Sequence, residues 1–490
     1  MAQTVTREMG PDRRLEDMTG LFFGGAWQSA DAHVDIIDKY TFEPFLSVVQ
    51  AQPDDVTRAV DSAERASRSP LPAAERESIL LRAADILDEL DAAVLYTYVA
   101  ETGFTLADAR TELARAGDTL RLCAGEARRL SGEEIPVSAT PGSEHRLAFT
   151  MRVPVGIVCA IAPFNAPLNT VAHKVGPAIA AGNAVVLKPA QATPVSSMWL
   201  TYALHEAGLP PGFMNLVIGP GRSVGDQLLK DGRIRYYTFT GSTEVGLAIK
   251  QVSGVAKTHL ELGSNSATIV CDDADLVMAA DRIVPAAFRK AGQVCTSVQR
   301  VLVAESVRGD LEELLRERTE ALVVGDPYRE DARVGPLISV AEAERAQEWV
   351  ASSGGRTLTG GDRDRAVLQP ALITQVPDDA TVMCNEAFAP IVAMQAWSTF
   401  DDAIARANTT PYGLQAGIFT QDVDRAFAAA KRLQVGGVMI NDTSSYHADL
   451  MPYGGVKASG YGLEGPRYAV EDMTDPRIVV LNLRDASTVE

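Results

Sequence analysis

KTHLELGSNSATIV, residues 257–270, and FRKAGQVCTSVQR, residues 288–300, enclose the stretch that decides the fold. The first segment carries Glu261, the second carries Cys295, and an acidic segment of helical pattern separates them. A thiolate attacks a carbonyl carbon readily, and a carboxylate can take a proton from water. The separation between the two residues is long enough for a strand, a helix and a return. Together they predict covalent capture of an acyl group followed by its hydrolysis.

Cys295 also has a simpler interpretation, since an isolated cysteine is usually a small buried hydrophobe. Its neighbours argue against that reading. Gly292, Gln293, Thr296 and Ser297 make a polar, glycine-containing turn around it rather than an apolar stripe. We therefore interpret Cys295 as a nucleophile.

Composition limits the classes of function that the chain can have. Its 490 residues predict two or three domains, and a net charge of −19 argues against nucleic acid and anionic membranes as partners. The five cysteines form no CxxC pair, which favours a reducing compartment and predicts neither disulfides nor a metal site. The N-terminus lacks an apolar signal region, and no apolar run reaches 18 residues. We therefore expect a cytoplasmic protein without membrane contact.

Seven motifs that span most of the chain resemble, in their order, the aldehyde dehydrogenase superfamily. The resemblance extends from about Phe22 to about Leu483, and seven ordered motifs are more specific than any one of them. The motifs are APFNAPLN (162–169), LKPA (187–190), FTGSTEVG (239–246), LELGSN (260–265), GQVCTSVQR (292–300), NEAFAP (385–390) and MPYGGVKASGYG (451–462).

The residue patterns and the resemblance together predict an α/β fold. Residues 53–130 have helical periodicity, and residues 153–246 alternate short apolar strands with helices, as parallel sheets do. The resemblance implies a Rossmann-like NAD(P)-binding domain, a second α/β catalytic domain and a small β excursion for oligomerisation, in a homodimer or homotetramer. The expected bounds are 1–130 with 153–258 for the cofactor domain, 259–440 for the catalytic domain, and 131–152 with 474–490 for the oligomerisation strands.

The resemblance implies the oxidation of a small-molecule aldehyde to its carboxylic acid, with NAD or NADP as cofactor. Cys295 would be the nucleophile, Glu261 the base for hydrolysis, and Asn165 the donor to the oxyanion. Relatives that transfer the acyl group to CoA generally lack this glutamate, so that alternative is weaker. A non-catalytic protein on the same fold would be expected to lack one of the three residues, and all three are present.

The expected cofactor residues follow the strand ends of the first half of the chain. The turn from Gly241 to Gly246 follows the strand YYTFT, and the backbone amides at such a turn can hold a pyrophosphate. Gln191 stands where many NAD-preferring relatives carry Glu, and a neutral side chain there would admit the 2′-phosphate of NADP. The full set is Ala162, Pro163, Phe164, Lys188, Ala190, Gln191, Gly221, Thr240, Gly241, Ser242, Val245, Leu262, Gly263, Glu386 and Phe388.

The expected substrate tunnel is polar. Short hydroxy- or carboxy-aldehydes suit such a wall, because apolar ligands would leave its polar groups unpaired. Aromatic aldehydes remain the alternative, since Tyr446 and Tyr453 could stack on a ring. A phosphoaldehyde would need a cation by the nucleophile, but Val294 and Ala166 are uncharged, which leaves only Arg121 from the Thr119–Cys123 turn. The tunnel set is Arg121, Asn169, His173, Val294, Thr296, Tyr446, His447 and Tyr453.

Overall fold

A computed structural model describes residues 5–483 of the chain. Helices and strands alternate along most of it, which confirms the α/β prediction. The α-helices of the described residues are α1 (Arg14–Met18), α2 (Pro53–Ser67), α3 (Ala73–Glu89), α4 (Asp91–Thr102), α5 (Leu106–Arg129), α6 (Asn169–Ala180), α7 (Val195–Glu206), α8 (Asp226–Lys230), α9 (Thr243–Val252), α10 (Leu276–Phe288), α11 (Arg308–Glu320), α12 (Val340–Ala351), α13 (Thr381–Cys384), α14 (Phe400–Asn408), α15 (Val423–Arg432) and α16 (Pro466–Asp472).

The β-strands form two large sheets and three small ones. In chain order they are β1 (Leu21–Phe23), β2 (Ala26–Gln28), β3 (His33–Ile37), β4 (Pro44–Val49), β5 (Glu134–Ile135), β6 (Arg146–Pro154), β7 (Ile157–Ile161), β8 (Ala184–Lys188), β9 (Met214–Leu216), β10 (Ile234–Thr240), β11 (Lys257–Glu261), β12 (Ala267–Val270), β13 (Arg300–Ala304), β14 (Arg356–Thr359), β15 (Arg363–Asp364), β16 (Val367–Leu368), β17 (Ala371–Thr374), β18 (Ile391–Trp397), β19 (Gln415–Phe419), β20 (Gly437–Ile440), β21 (Gly460–Tyr461) and β22 (Thr474–Asn482).

The first large sheet has the strand order β2-β1-β9-β8-β7-β10-β11-β21. Its five central strands, from β9 to β11, run parallel, and β7 and β8 are apolar and almost wholly buried because helices cover both faces. Parallel strands end at a common edge, so the residues that follow β7, β8, β10 and β11 meet there. This edge carries four of the predicted motifs.

The second large sheet has the order β14-β17-β18-β13-β12-β19-β20 and is parallel except for β14. The chain passes from the end of β11 to the start of β12 within five residues, 262–266. The carboxyl edge of the first sheet therefore adjoins the amino edge of the second. Cys295 lies five residues before β13, at that same amino edge.

Helices α2 to α5 confirm the helical pattern predicted for residues 53–130, and most of their apolar residues join the core of the first sheet. One local expectation is wrong. The segment Thr119–Cys123 is not a turn, because it lies inside the 24-residue helix α5. Thr119 and Cys123 are on its buried side and Arg121 is on its outer side.

Strands β22, β6 and β5 make a separate antiparallel sheet, with nine residue pairs between β22 and β6. The predicted pairing of the C-terminal apolar strand with the excursion is confirmed for the described residues. The final part of the predicted segment, residues 484–490, lies outside them, as do residues 1–4 of the predicted cofactor domain.

Among residues 5–483, no helix combines the length and the apolar character that crossing a lipid bilayer requires.

Candidate active site

The loop that carries Cys295 has an unusual backbone. Lys290 and Ala291 have φ values of 53° and 52°, and Gly292 follows with 69°, so three successive residues are left-handed. A non-glycine residue in this region costs on the order of 1–3 kcal/mol, and such strain clusters at functional sites. Gly292 has no alternative, because a Cβ there would collide with the carbonyl of Ala389. The turn directs residues 293–297 to the boundary between the two sheets.

Two contacts hold this loop against the end of β7. Lys290 Nζ donates to Glu112 Oε2 at 2.8 Å and to the Asn165 carbonyl at 2.9 Å. Asn165 Nδ2 donates to the Gln293 carbonyl at 2.8 Å. These bonds place the Asn165 amide beside the turn that presents Cys295, so the predicted nucleophile and the predicted oxyanion donor meet.

Cys295 is half-buried, and its Sγ lies 3.1 Å from Tyr453 Oη. Burial raises the pKa of the Cys295 thiol to about 11, while the hydrogen bond with Tyr453 lowers it. The resting group is therefore a thiol at neutral pH, and its reaction requires a base to remove the proton. Tyr453 can donate to the thiolate once that has formed.

Glu261, the last residue of β11, is buried at the same place. Its Oε1 lies 2.9 Å from His259 Nε2, whereas its Oε2 has no hydrogen-bond partner among the described residues. Burial and the neighbouring Glu464 carboxylate raise the pKa of Glu261 well above its usual range, and Lys174 opposes them. A buried oxygen without a partner is costly, which fits an atom that receives a water molecule.

A cavity of about 620 Å³ opens along the carboxyl edge of the first sheet and reaches Cys295. Fourteen of the fifteen predicted cofactor residues line it, which brings together side chains from the ends of β7, β8, β10 and β11 and from the loop before β18. They are Ala162, Pro163, Phe164, Lys188, Ala190, Gly221, Thr240, Gly241, Ser242, Val245, Leu262, Gly263, Glu386 and Phe388.

Gln191 is the exception. Its Nε2 donates to Gln50 Oε1 at 3.4 Å, and the residue borders a separate groove beside β3. The role of Gln191 beside the adenine-ribose stays a prediction, since its side chain lies next to Gln50 and does not line the cavity. Arg222, which the sequence analysis missed, does line the cavity and has no carboxylate within 4.0 Å among residues 5–483.

The cavity suits a dinucleotide at several points. Ser242 caps α9 by accepting from the Val245 N–H, and the first-turn amides of this helix can receive a phosphate. Lys188 is buried, and its ammonium group donates only to the Pro189 carbonyl among described groups, which leaves donors free for a ligand. A Cβ at Gly263 would lie 2.8 Å from Glu386 Oε2, so a larger residue there would displace that carboxylate.

Glu386 and Phe388 stand at the end of this cavity nearest to Cys295. Glu386 Oε1 accepts from the Ser264 N–H at 2.9 Å, and burial raises the pKa of Glu386 to about 7. Phe388 has a φ of 46° and meets Phe164 edge to face at 5.8 Å. Backbone strain at Phe388 and the raised pKa of the neighbouring Glu386 are typical of functional sites rather than of ordinary packing.

On the other side of Cys295 lies a cavity of about 100 Å³, far below the ~300–1,000 Å³ of sites for drug-sized ligands. Six of the eight predicted tunnel residues line it, namely Asn169, His173, Val294, Thr296, His447 and Tyr453. Arg121 does not, because its guanidinium pairs with Asp88 at 2.5 Å and Asp85 at 3.1 Å outside the cavity. Tyr446 is also absent from this wall and is 51% exposed.

Two arginines that the sequence analysis missed do line the small cavity. Arg115 pairs in a bidentate manner with Asp449, at 2.6 and 3.0 Å, and donates to His447 Nδ1 at 2.7 Å. His173 Nε2 and Asn169 Nδ2 also contact Asp449 Oδ1, at 2.8 and 3.1 Å. Arginine only donates, so Nδ1 of His447 must accept and its Nε2 carries the hydrogen.

The Asp449 carboxylate has a cationic partner, whereas the Arg289 guanidinium has no carboxylate partner among the described residues. Although burial raises the pKa of Asp449, hydrogen bonds from His173 and Arg115 hold it well below the usual range, so Asp449 neutralises Arg115. Arg289 Nη2 and Nε donate to Ser445 Oγ at 2.9 and 3.3 Å, and no carboxylate of residues 5–483 lies within 4.0 Å of this guanidinium. The cavity beside Cys295 therefore has one cation without a paired carboxylate, and that cation is Arg289 rather than the expected Arg121.

Some of these residues left a signal in the sequence. Arg289 lies six residues before Cys295 in FRKAGQVC, and His259 lies two residues before Glu261, which puts both side chains on one face of β11. No sequence pattern indicated Arg115, since it stands on helix α5 and reaches the site only through the packing of that helix on α6.

Comparison with known proteins agrees with this geometry. The family model described as "Aldehyde dehydrogenase family" matches residues 27–479. The chain is 45% identical over 467 residues to a 3-sulfolactaldehyde dehydrogenase from Priestia aryabhattai, covering 95% of this chain and 98% of that protein.

Solved structures give the same result. Aldehyde dehydrogenase 21 from Physcomitrella patens, solved with its reaction product succinate, superposes with a TM-score of 0.92 at 35% identity, over 96% of this chain and 99% of that one. An NADP-dependent glyceraldehyde-3-phosphate dehydrogenase from Bacillus halodurans, solved with NADP, gives 0.93 at 34%, over 95% and 99%. The chain belongs to the aldehyde dehydrogenase family.

Proposed function

We propose that the protein oxidises a short 2-hydroxyaldehyde with an anionic group at its far end, and that 3-sulfolactaldehyde is the first substrate to test. The observation that supports this most is Arg289, a cation in the small cavity without a carboxylate partner. A guanidinium is suited to bind sulfonate, carboxylate or phosphate oxygens through paired N–H groups.

The relatives support an anionic substrate. They are a 3-sulfolactaldehyde dehydrogenase, an aldehyde dehydrogenase solved with its product succinate, and a glyceraldehyde-3-phosphate dehydrogenase, and each of these compounds is a short chain that ends in a sulfonate, carboxylate or phosphate. The cavity offers matching positions for the rest of such a chain. His447 has its Nε2–H available as a donor, and burial lowers the pKa of His447 to about 4, so it donates as a neutral ring. This donor suits the 2-hydroxyl group.

The proposed reaction begins at Cys295. The Cys295 thiol gives its proton to water in the cavity, its sulfur bonds to the aldehyde carbon, and the electron pair of the C=O double bond moves to the oxygen, which becomes an oxyanion. The Asn165 Nδ2 group and the backbone N–H of Cys295 would donate to that oxyanion, and one such donor is typically worth about 3–4 kcal/mol. NAD(P)+ bound in the large cavity supplies the hydride acceptor. Its proposed contacts are the fourteen lining residues together with Arg222.

Glu261 would complete the cycle by hydrolysis. Its free Oε2 takes a proton from water, the water oxygen bonds to the thioester carbon, and the carbon–sulfur bond breaks to return the thiolate. The acid product leaves with the added oxygen. This buried carboxylate also distinguishes the proposal from acyl transfer to CoA, and the polar and charged lining of the small cavity disfavours the aromatic alternative.

We also propose the domain division that the sequence predicts, with residues 1–130 and 153–258 for the cofactor, 259–440 for catalysis, and 131–152 with 474–490 for assembly. The sheet of β22, β6 and β5 exposes apolar side chains on both of its faces, and a second copy is the partner expected to cover them. They are Leu147, Met151, Ile478, Val480 and Leu481. A homodimer or homotetramer in the cytoplasm is the expected state.

Replacing the nucleophile should abolish turnover and leave cofactor binding intact. Cys295→Ala removes the only proposed covalent attachment point, so kcat should fall by several orders of magnitude. Titration of the protein with NADPH should give an unchanged Kd. Cys384→Ala is the matched control, because Cys384 is exposed and lines neither cavity, and it should keep full activity. More than about a tenth of the wild-type kcat in Cys295→Ala would contradict the assignment.

Replacing the base should separate the two half-reactions. Glu261→Gln should release one equivalent of NAD(P)H per active site and then turn over slowly, because the thioester is formed but not hydrolysed. Intact-mass spectrometry of the mixed sample should show the acyl adduct on Cys295. An unchanged steady-state rate without an adduct would show that another group activates the water.

Both cofactors should be used, with KM for NADP+ within about a hundredfold of that for NAD+. Lys188 and Arg222 can meet a 2′-phosphate, while Asp226 and Glu244 on the same wall limit the preference. Arg222→Ala should weaken NADPH binding by about 10- to 100-fold and leave NADH binding within a factor of about three. Fluorescence titration of the binary complexes measures both constants. Equal losses for the two cofactors would remove Arg222 from 2′-phosphate recognition.

The substrate proposal is tested with two aldehydes that differ only by a sulfonate. Arg289→Met should lower kcat/KM for 3-sulfolactaldehyde by about 10- to 100-fold and that for lactaldehyde by less than about fivefold. Arg121→Met is the control, since Arg121 lies outside the cavity, and it should change neither value. A wild-type enzyme that prefers benzaldehyde or hexanal by more than tenfold would overturn the polar-substrate proposal. Equal losses for both aldehydes in Arg289→Met would overturn the role of Arg289.

A further inference from the structure

A line of buried polar side chains starts at Glu261 and leads away from Cys295. His259 precedes Glu261 on β11 and contacts its Oε1 at 2.9 Å. Behind His259, its Nδ1 lies 3.4 Å from Thr238 Oγ1 on the adjacent strand β10. Lys174 Nζ on α6 donates to that same hydroxyl at 3.1 Å. All four side chains are at most 3% exposed, so water does not compete for these contacts.

This arrangement selects one state of the imidazole when Glu261 is ionised. Lys174 donates to Thr238 Oγ1, which leaves the Thr238 hydrogen free to point to His259 Nδ1. Nδ1 then accepts, and the single hydrogen of the neutral ring is on Nε2, facing the carboxylate. A neutral ring is the expected form, since burial and the charge of Lys174 lower the pKa of His259 to about 4.

We propose that His259 is a positioning residue for hydrolysis, which holds Oε1 of Glu261 and stabilises its carboxylate form so that Oε2 can accept from water. The inference rests on the proposed roles of Cys295 and Glu261. Apart from His259, no group of the described residues makes a hydrogen bond to the Glu261 side chain, so this one bond determines how the carboxylate is turned. Its position on the same strand makes the bond rigid, because residues two apart share a face of the sheet.

The other charged and titratable groups around Glu261 do not supply this function. Glu464 raises the pKa of the carboxyl group, and Lys174 lowers it from a distance without a hydrogen bond. Cys295 and Tyr453 lie on the substrate side, and their neutral resting forms contact each other. His173 on α6 contacts Asp449 instead. Among the described residues, only His259 makes a direct hydrogen bond to the Glu261 side chain.

The proposal predicts a specific pH effect. A donor to the ionised form lowers the pKa of a carboxyl group, so its removal should raise the pKa of Glu261 further. The base exists only above its pKa, and the acid limb of the hydrolysis rate should therefore move to higher pH. In His259→Leu we expect a shift of about one unit, which is about a tenfold loss of rate below the limb.

The experiment measures both half-reactions of the whole enzyme from pH 5.5 to 9 by stopped flow. The burst of NAD(P)H formation should keep its rate and amplitude in His259→Leu, while the slow phase after the burst shows the shifted limb. His259→Gln should restore the wild-type profile, because an amide can donate to Oε1 and accept from Thr238. Thr238→Val should shift the limb in the same direction and by less, since the Nε2–H tautomer is no longer favoured.

The outcomes separate this inference from the proposed function. Suppose that the acid limb of the hydrolysis rate stays in place in His259→Leu while Glu261→Gln loses the slow phase after the burst. That result would overturn the role of His259 alone. An intact slow phase in Glu261→Gln would instead overturn the role of Glu261. A burst that falls in parallel with the slow phase, or a His259→Gln variant as impaired as His259→Leu, would show a packing role and overturn the proposal. Should His259→Leu fail to fold, the His259→Gln and Thr238→Val profiles decide between the same outcomes.

Discussion

The buried contact between Lys290, Glu112 and the Asn165 carbonyl is the interaction on which the active site depends. It ties the nucleophile loop to helix α5 and to the end of β7, and so joins the two large sheets at the point where Cys295 stands. Lys290 itself has a left-handed backbone, which a buried ion pair can hold in place. Breaking one partner of such a pair usually costs about 3–5 kcal/mol, which is comparable with the strain of two non-glycine residues at about 1–3 kcal/mol each. Together with the hydrogen bond from Asn165 Nδ2 to the Gln293 carbonyl, this contact keeps Cys295 and Asn165 on the same cavities.

The same boundary separates two environments that the reaction needs. On one side lies a long, mainly apolar cavity that ends in strained Phe388 and buried Glu386, and on the other a small cavity rich in charge. Cys295 lines both, so an aldehyde and a cofactor can approach its sulfur from opposite sides. Burial leaves the thiol protonated at rest and keeps Glu261 easily protonated, which makes both groups dependent on their hydrogen-bond partners.

Selectivity in the small cavity depends on which charges cancel. Asp449 accepts from Arg115, His173 and Asn169 at once, and thus turns an arginine and a histidine into a fixed polar wall. Arg289 remains outside that network, and among described side chains its guanidinium donates hydrogen bonds only to a serine hydroxyl. A carboxylate-rich site that kept no free cation would repel an anionic aldehyde, whereas this one presents a single guanidinium to it. Arg115 is paired with Asp449, whereas Arg289 has no carboxylate partner among the described residues, and this difference decides the proposed substrate class.

The sequence by itself determined the fold class and the family, and it predicted three central residues that the structure brings together, because these depend on local patterns. Strand and helix periodicity, turn glycines and short motifs depend on residues that are close together in the sequence. Parallel strands bring their carboxyl ends together in any such fold. For that reason fourteen of fifteen cofactor positions line one cavity. The charge of the substrate cavity was decided only by tertiary structure. Arg115 arrives on a distant helix, Arg121 points away from the site by its place on that helix, and the Gln191 side chain lies next to Gln50. Side-chain direction and ion pairing depend on packing between elements far apart in the chain, and periodicity carries no information about such partners.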